Sequence, residues 1–150
     1  MTNIFQVTGI ATFINRIEKL TPESQPQWGK MSVSQMLAHC NVTYEMIYDN
    51  KHPKPNAFTR FLLKAFVKST VVGGKPYKRN LHTATAFIIK DEKQFEAEKS
   101  RLINYIAQTQ QLGEAHFDGK ESLSFGKLTK TEWNTMMSKH LDHHLTQFGV

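Results

Sequence analysis

A single cysteine, Cys40, is all the sequence offers for covalent cross-linking, so an internal disulfide framework is excluded. That usage suits a reducing compartment, and the cytoplasm is the expected location. Met1-Thr2-Asn3-Ile4-Phe5 lacks the basic start and apolar run of a signal peptide. No stretch approaches the roughly 20 apolar residues that a membrane-spanning helix needs, so no membrane span is expected. There is also no internal repeat, low-complexity tract or linker, so residues 1–150 read as one domain, long enough to bury a core without staples.

Acidic residues are missing from one place in particular. None occurs between Asp49 and Asp91, while the same interval carries Lys51, Lys54, Arg60, Lys64, Lys68, Lys75, Lys78, Arg79 and Lys90. The net charge of +6 therefore arises in this one interval, since the flanking segments together are acidic. Such a run could face an anionic ligand, a lipid or a nucleic acid, or be a solvated face with no partner. The cations have no base-reading motif around them, so nucleic acid is not expected. Phe58, Phe61, Leu62, Ala65 and Phe66 alternate with the cations, as in a surface-seeking helix. Docking of these apolar residues onto the rest of the protein is the commoner arrangement.

Four helical segments are present. The first runs from about Gly9 to Leu20, with Ile10, Phe13, Ile14, Ile17 and Leu20 at helical spacing, and Thr21-Pro22 stops it. The second opens at Ser32 and Gln35, the Ser-x-x-Gln form of a capping box, and fades near Asp49-Asn50. The third is expected from Asp91 to Leu112-Gly113, where the glycine suits a C-cap. The fourth opens with a second capping box, Thr129 and Glu132, and continues to Phe148. Between the second and third lies an excursion over residues 50 to 90, with a short basic helix (Phe58 to Ser69), Gly73-Gly74 and an extended piece, Thr83 to Ile89. A connection that long usually serves function or covers something. Short first and last connections with one long middle crossover describe an all-α four-helix bundle. The alternative is an irregular α+β domain, should Thr83–Ile89 find a strand partner.

The chemistry concentrates in His140-Leu141-Asp142-His143-His144. On a helix, residues four apart lie one above the other with Cβ atoms about 5–6 Å apart. Two imidazoles so placed can converge on one metal ion at nitrogen–metal distances of about 2.0–2.1 Å. His140 and His144 fall inside the stripe marked by Trp133, Met137, Leu141 and Phe148, whereas His143 lies roughly 100° from its centre and faces outward or lines the mouth. Two buried core histidines are the structural alternative, at the cost of satisfying two polar rings. His39 on the second helix is the natural third ligand, although it sits at the edge of that helix's apolar stripe. Cys40 next to it points to the stripe's centre and reads as a small hydrophobe rather than a ligand or nucleophile. Leu141 occupies the position where a His-Glu-x-x-His protease would carry its general base.

The segments Trp28-Gly29-Lys30-Met31-Ser32, Gln35-Met36-Leu37-Ala38-His39-Cys40 and Lys139-His140-Leu141-Asp142-His143-His144-Leu145-Thr146-Gln147-Phe148-Gly149 resemble the DinB/YfiT-like superfamily. The resemblance is closest to a branch of unknown function and covers nearly the whole chain. It implies a four-helix bundle with a long crossover and a divalent metal held by His39, His140 and His144. Some relatives join low-molecular-weight thiols to electrophiles, and others are hydrolases or isomerases. The basic excursion has no counterpart in the better-known thiol transferases, so no substrate residues carry over.

These readings lead to a metal-dependent enzyme, with zinc or nickel as the expected metal and a small molecule, such as a low-molecular-weight thiol, as substrate. Three histidine ligands leave a position open, the arrangement of catalytic zinc. Arg60, Lys64 and Lys68, one turn apart, could receive the substrate's carboxylates beside His143, and Gly73-Gly74 could let the segment move as a lid. Tyr44, His116 and His143 are candidates for proton transfer, and no catalytic residue is assigned. The alternatives are a non-catalytic protein that binds a metal or small anion, and a binder of anionic surfaces through residues 51 to 90. A homodimer is left open.

Overall fold

The computed structural model describes residues 1–150. The chain is mostly helical, with a small two-stranded sheet. Helix α1 spans Val7–Glu18, α2 Val33–Tyr48, α3 Ala57–Leu62, α4 Lys68–Val72, α5 Phe95–Phe117 and α6 Lys130–Gln147. The four longest, α1, α2, α5 and α6, pack on one another around a core of 22 buried residues. Trp133, Tyr44, Phe13 and Phe117 are its largest fully enclosed side chains.

Both capping boxes form as expected. The Ser32 hydroxyl accepts from the Gln35 amide at 3.2 Å and the Gln35 side chain accepts from the Ser32 amide at 3.1 Å. Thr129 and Glu132 do the same at the start of α6. Each box satisfies two amides that the first helical turn leaves without partners, which fixes where these two helices begin. Helix α2 is central: every residue from Met36 to Glu45 is buried. A position that the helical wheel puts at the edge of an apolar stripe is therefore enclosed as well.

Helix α5 starts four residues later than the Asp91 expected from sequence. Residues 91–94 stay outside it, and Phe95 is the first residue it buries. Glu96 and Glu98 then occupy the first turn, where the helix dipole favours negative charge. Gly113 interrupts α5 at φ 73° and ψ 169°, a conformation open essentially to glycine alone, and one more turn reaches Phe117. Polar contacts bind α5 to the far end of α2. Arg101 pairs with Glu45 and with Glu98, both at 2.8 Å, and the Tyr105 hydroxyl donates to Asp49 at 2.5 Å. That hydroxyl and the Lys51 ammonium hold the Asp49 carboxyl below its usual range.

The excursion departs from expectation in two ways. The piece expected to be extended, Thr83 to Ile89, is broken by a 3-10 turn at Thr85–Phe87; it pairs with no strand, as the all-α reading requires. The sheet lies elsewhere, in the α5–α6 connection, where β1 (Glu121–Ser122) pairs antiparallel with β2 (Gly126–Lys127). There the Ser122 hydroxyl accepts from the Phe125 amide, and Gly126 takes φ 74° to turn the chain. The basic helix forms from α3, a π-turn at Leu63–Val67 and α4, but its faces are reversed. Arg60 turns inward to Glu121 at 2.7 Å and Lys68 to Glu132 at 2.8 Å. Leu63, Val71 and Val72 pack on the core, while Phe58, Phe61 and Phe66 point away from it.

One lysine ties the excursion to α6. Lys139 is buried, and its ammonium donates to the backbone carbonyls of Thr70, Gly73 and Lys75, using all three of its N–H donors. Gly73 itself adopts φ −79° and ψ 156°, an ordinary extended conformation. The Gly73-Gly74 turn is thus clamped rather than built as a hinge. Replacing Lys139 with Met keeps the aliphatic stem and removes the donors. The expected loss is about 2–4 kcal/mol of unfolding free energy, since hydrogen bonds from a charged donor are each worth about 1.5–3 kcal/mol. Chemical denaturation measures the loss, and faster amide exchange over residues 70–75 shows that it is local.

Candidate metal centre

Helices α2 and α6 meet so that His39 faces His140 and His144. Their ring centroids are 5.0 Å and 4.5 Å from that of His39, and 4.8 Å from each other. The candidate ligand atoms all lie within 4.8 Å of one another. His39 and His144 are buried and His140 is partly so. Sequence reasoning named these three residues, and the fold brings them together.

Hydrogen bonds at the other ring nitrogens decide what the triad can do. His39 Nδ1 lies 2.8 Å from the Phe87 carbonyl oxygen. A carbonyl only accepts, so the hydrogen of a neutral His39 sits on Nδ1, and Nε2 is a free lone pair. The same logic runs through Gln147. Its Nε2 donates to the Trp28 carbonyl at 2.7 Å, which orients the amide and leaves Oε1 facing His144 Nδ1 at 2.8 Å. His144 must then also carry its hydrogen on Nδ1. For His140 the partner at Nδ1 is the Thr43 hydroxyl, 3.1 Å away, which can donate or accept. His140 Nε2 is 3.0 Å from His39 Nε2 and is the ring nitrogen that donates in this contact. Thr43 then donates to His140 Nδ1. Were a cation to replace the shared hydrogen, His140 could carry its hydrogen on Nδ1 and Thr43 could accept it. Three Nε2 lone pairs would then point at one place, each ring oriented by an outer partner.

The electrostatics agree with a ligand set. Burial holds His39 and His140 below the ordinary value of 6.5, and for His140 the adjacent His144 and His39 push further in the same direction. His144 is pushed down to about 3, chiefly by burial. All three are neutral at pH 7, the form in which imidazole binds a metal.

Residues outside the triad complete it. Phe87, on the 3-10 turn, lies 5.3 Å from the His39 ring and 5.9 Å from that of His140, so the excursion covers the site. Gly29 takes φ 86°, and a Cβ there would lie 2.6 Å from Gln147 Nε2. The Trp28-Gly29 turn is therefore glycine-dependent, because it approaches the amide that orients His144. His143 is half-buried at the rim, edge-on to Trp28 and Tyr77. A cleft of about 200 Å³ opens beside it. There the Arg79 guanidinium stacks on Trp28 at 4.2 Å.

The remaining expected residues are not at the triad. Arg60 and Lys68 are committed to Glu121 and Glu132, and Lys64 is exposed on the outer side of the basic helix. Tyr44 stacks on Tyr105 in the core, and burial raises its hydroxyl well above the usual range. His116 sits against Phe117 at the end of α5. Cys40 is buried with its sulfur 3.8 Å from that of Met36, the placement of a hydrophobe. The sequence reading missed Thr43, Phe87 and Gln147 as partners of the triad. Gln147 stands one turn after His144 and Thr43 one turn after His39, which is a usable signal. Phe87 gives none, because its position depends on how the excursion folds back.

The family profile described as "protein of unknown function (DUF1569)" matches residues 3–149, and the chain belongs to that family. No curated protein and no solved structure matches it. No helix is long and apolar enough to cross a membrane.

The histidine shifts carry a pH signature. Below 6.5 the unfolded chain takes up protons on these imidazoles that the folded triad refuses, so stability falls with falling pH. In metal-free protein the unfolding free energy is expected to rise from about pH 3 to pH 6.5 and then level off. The slope is expected to be shallower in a His140→Ala/His144→Ala variant, measured by denaturant titration at a series of pH values.

Proposed function

We propose that the protein is a divalent-metal-dependent enzyme acting on a small molecule, a thiol S-transferase or a hydrolase. In this reading residues 1–150 form one DinB/YfiT-like four-helix-bundle domain of the cytoplasm. Helices α1, α2, α5 and α6 make the bundle and the excursion is its crossover. The observation that carries the proposal is the convergence of His39, His140 and His144 with an outer hydrogen-bond partner at each Nδ1. A core histidine needs one partner for its one hydrogen. Three rings held with their second nitrogens turned toward one another make sense as a ligand set, with zinc or nickel as the metal.

A metal held there supplies a Lewis acid that favours the deprotonated form of a thiol or water at its open position. The chain's own residues do the rest. The Phe87 carbonyl and Gln147 keep two rings in register, and Thr43 serves either tautomer of the third. The Phe87 ring keeps bulk water off the His39–His140 side. Arg79 is free of any carboxylate and stands at the cleft beside His143, so it takes the anion-receiving role expected of Arg60 and Lys68.

A second reading, a non-catalytic protein that binds a metal or small anion, has one observation in its favour. No carboxylate hydrogen-bonds to the triad, and Tyr44 and His116 lie apart from it. Turnover with panels of thiols and electrophiles, set beside equilibrium metal binding, separates the two.

Elemental analysis of protein purified without a histidine tag is expected to find stoichiometric metal. His140→Ala/His144→Ala should abolish it. Gln147→Leu and Thr43→Val should weaken affinity about 10–100-fold while the fold persists, the usual cost of losing an outer partner. His143→Ala should leave affinity unchanged. Absence of metal, together with equal affinity of wild type and the double variant for added zinc and nickel, would sink the proposal.

A further inference from the structure

The reversed faces of the basic helix leave a feature that the histidine site does not use. Phe58, Phe61 and Phe66 are 71%, 65% and 73% exposed. Three neighbouring phenylalanines at such exposure are far outside the scattered apolar residues of an ordinary surface. Leu62 and Val67 on the same helix are also more than a third exposed. The ridge is held rigidly from beneath. Arg60 and Lys68 anchor its inner side to Glu121 and Glu132, and Lys139 clamps its C-terminal end through Thr70 and Gly73. The side chains with ion-pair partners thus face the protein, and the aromatic ones face out.

Charge selects the occupant. Lys64, between Phe61 and Phe66 in the sequence, is exposed and makes no ion pair, and Lys75, Lys78 and Lys90 further along the excursion make none either. No carboxylate occurs between residues 50 and 90, so a second copy laid on this ridge would bring cations against cations. The phenylalanines also project instead of lining a groove. A bilayer accepts a projecting apolar ridge without a matching surface, whereas a protein partner must supply a complementary pocket.

We infer that the ridge formed by Phe58, Phe61 and Phe66, with Lys64 on the same helix, docks the protein on the surface of an anionic lipid bilayer. The rings enter the boundary between headgroups and acyl chains, and the lysines meet lipid phosphates. Binding is peripheral and reversible, since one short helix is the only inserted element.

Sedimentation with vesicles of equal parts phosphatidylcholine and phosphatidylglycerol tests this, with pure phosphatidylcholine as control and sedimentation velocity without lipid alongside. Wild type is expected to partition onto the anionic vesicles and not onto the control, more weakly as salt rises. Phe58→Ser/Phe61→Ser/Phe66→Ser should lower partitioning at least about tenfold, because the inserted apolar area is gone. Lys64→Glu should lower it by a smaller factor. The substituted side chains are exposed, so all variants should keep the wild-type helical circular dichroism. Two results overturn the inference. One is anionic-vesicle binding equal in wild type and the triple variant. The other is absence of vesicle binding, whether wild type is a monomer or a dimer that the triple variant dissociates.

Discussion

Burying three imidazoles side by side is tolerable only if every ring has somewhere to put its hydrogen, and much of the molecule answers that constraint. The Gln147 amide is the clearest case. Its nitrogen is bound to the Trp28 carbonyl, so its oxygen has one direction to face, and that direction holds His144. The Trp28-Gly29 turn, the last turn of α6 and the triad thereby become one hydrogen-bonded unit. Phe87 plays the matching part for His39 from the opposite side, through a backbone carbonyl that no substitution of its side chain removes.

The excursion between α2 and α5 reconciles two demands that its composition sets against each other. It has nine cations and no acid of its own, so it cannot neutralise itself. It draws on carboxylates elsewhere in the chain: Glu121 for Arg60 and Lys54, Glu132 for Lys68, and Asp49 for Lys51. Each pair is at least partly exposed and contributes modestly to stability. Those of Arg60 and Lys68 lie on the side where Leu63, Val71 and Val72 pack on the core, and the phenylalanines lie on the other.

The sequence made the helices and the fourth-helix histidine pair legible because both rest on local rules. Capping boxes mark where α2 and α6 start, and a four-residue spacing places His140 over His144 whatever surrounds them. His39 was harder to place. Its wheel position suggested an edge, and only the tertiary burial of α2 on every side puts it inside. The facing of the excursion's helix is hidden from the sequence for a related reason. Amphipathic patterning shows that a helix has two faces but not which one meets the protein, and here the inner face holds ion pairs to residues about sixty positions away together with Leu63, Val71 and Val72. The 3-10 turn at Thr85–Phe87 likewise has no local mark in Thr83–Ile89, a piece that pairs with no strand.

Consider, finally, how far apart in the chain the centre's parts lie. His39 and His140 are separated by 101 residues, Gln147 and Trp28 by 119, and Lys139 and Thr70 by 69. Only the His140–His144 and His144–Gln147 pairs are local. Joining segments so distant costs loop-closure entropy, which the packing of the rest of the fold offsets. The full set, with each ring held by its outer partner, exists only once these distant segments are joined. Bound metal would therefore act as a lock on the completed structure, drawing the equilibrium toward the native state by mass action.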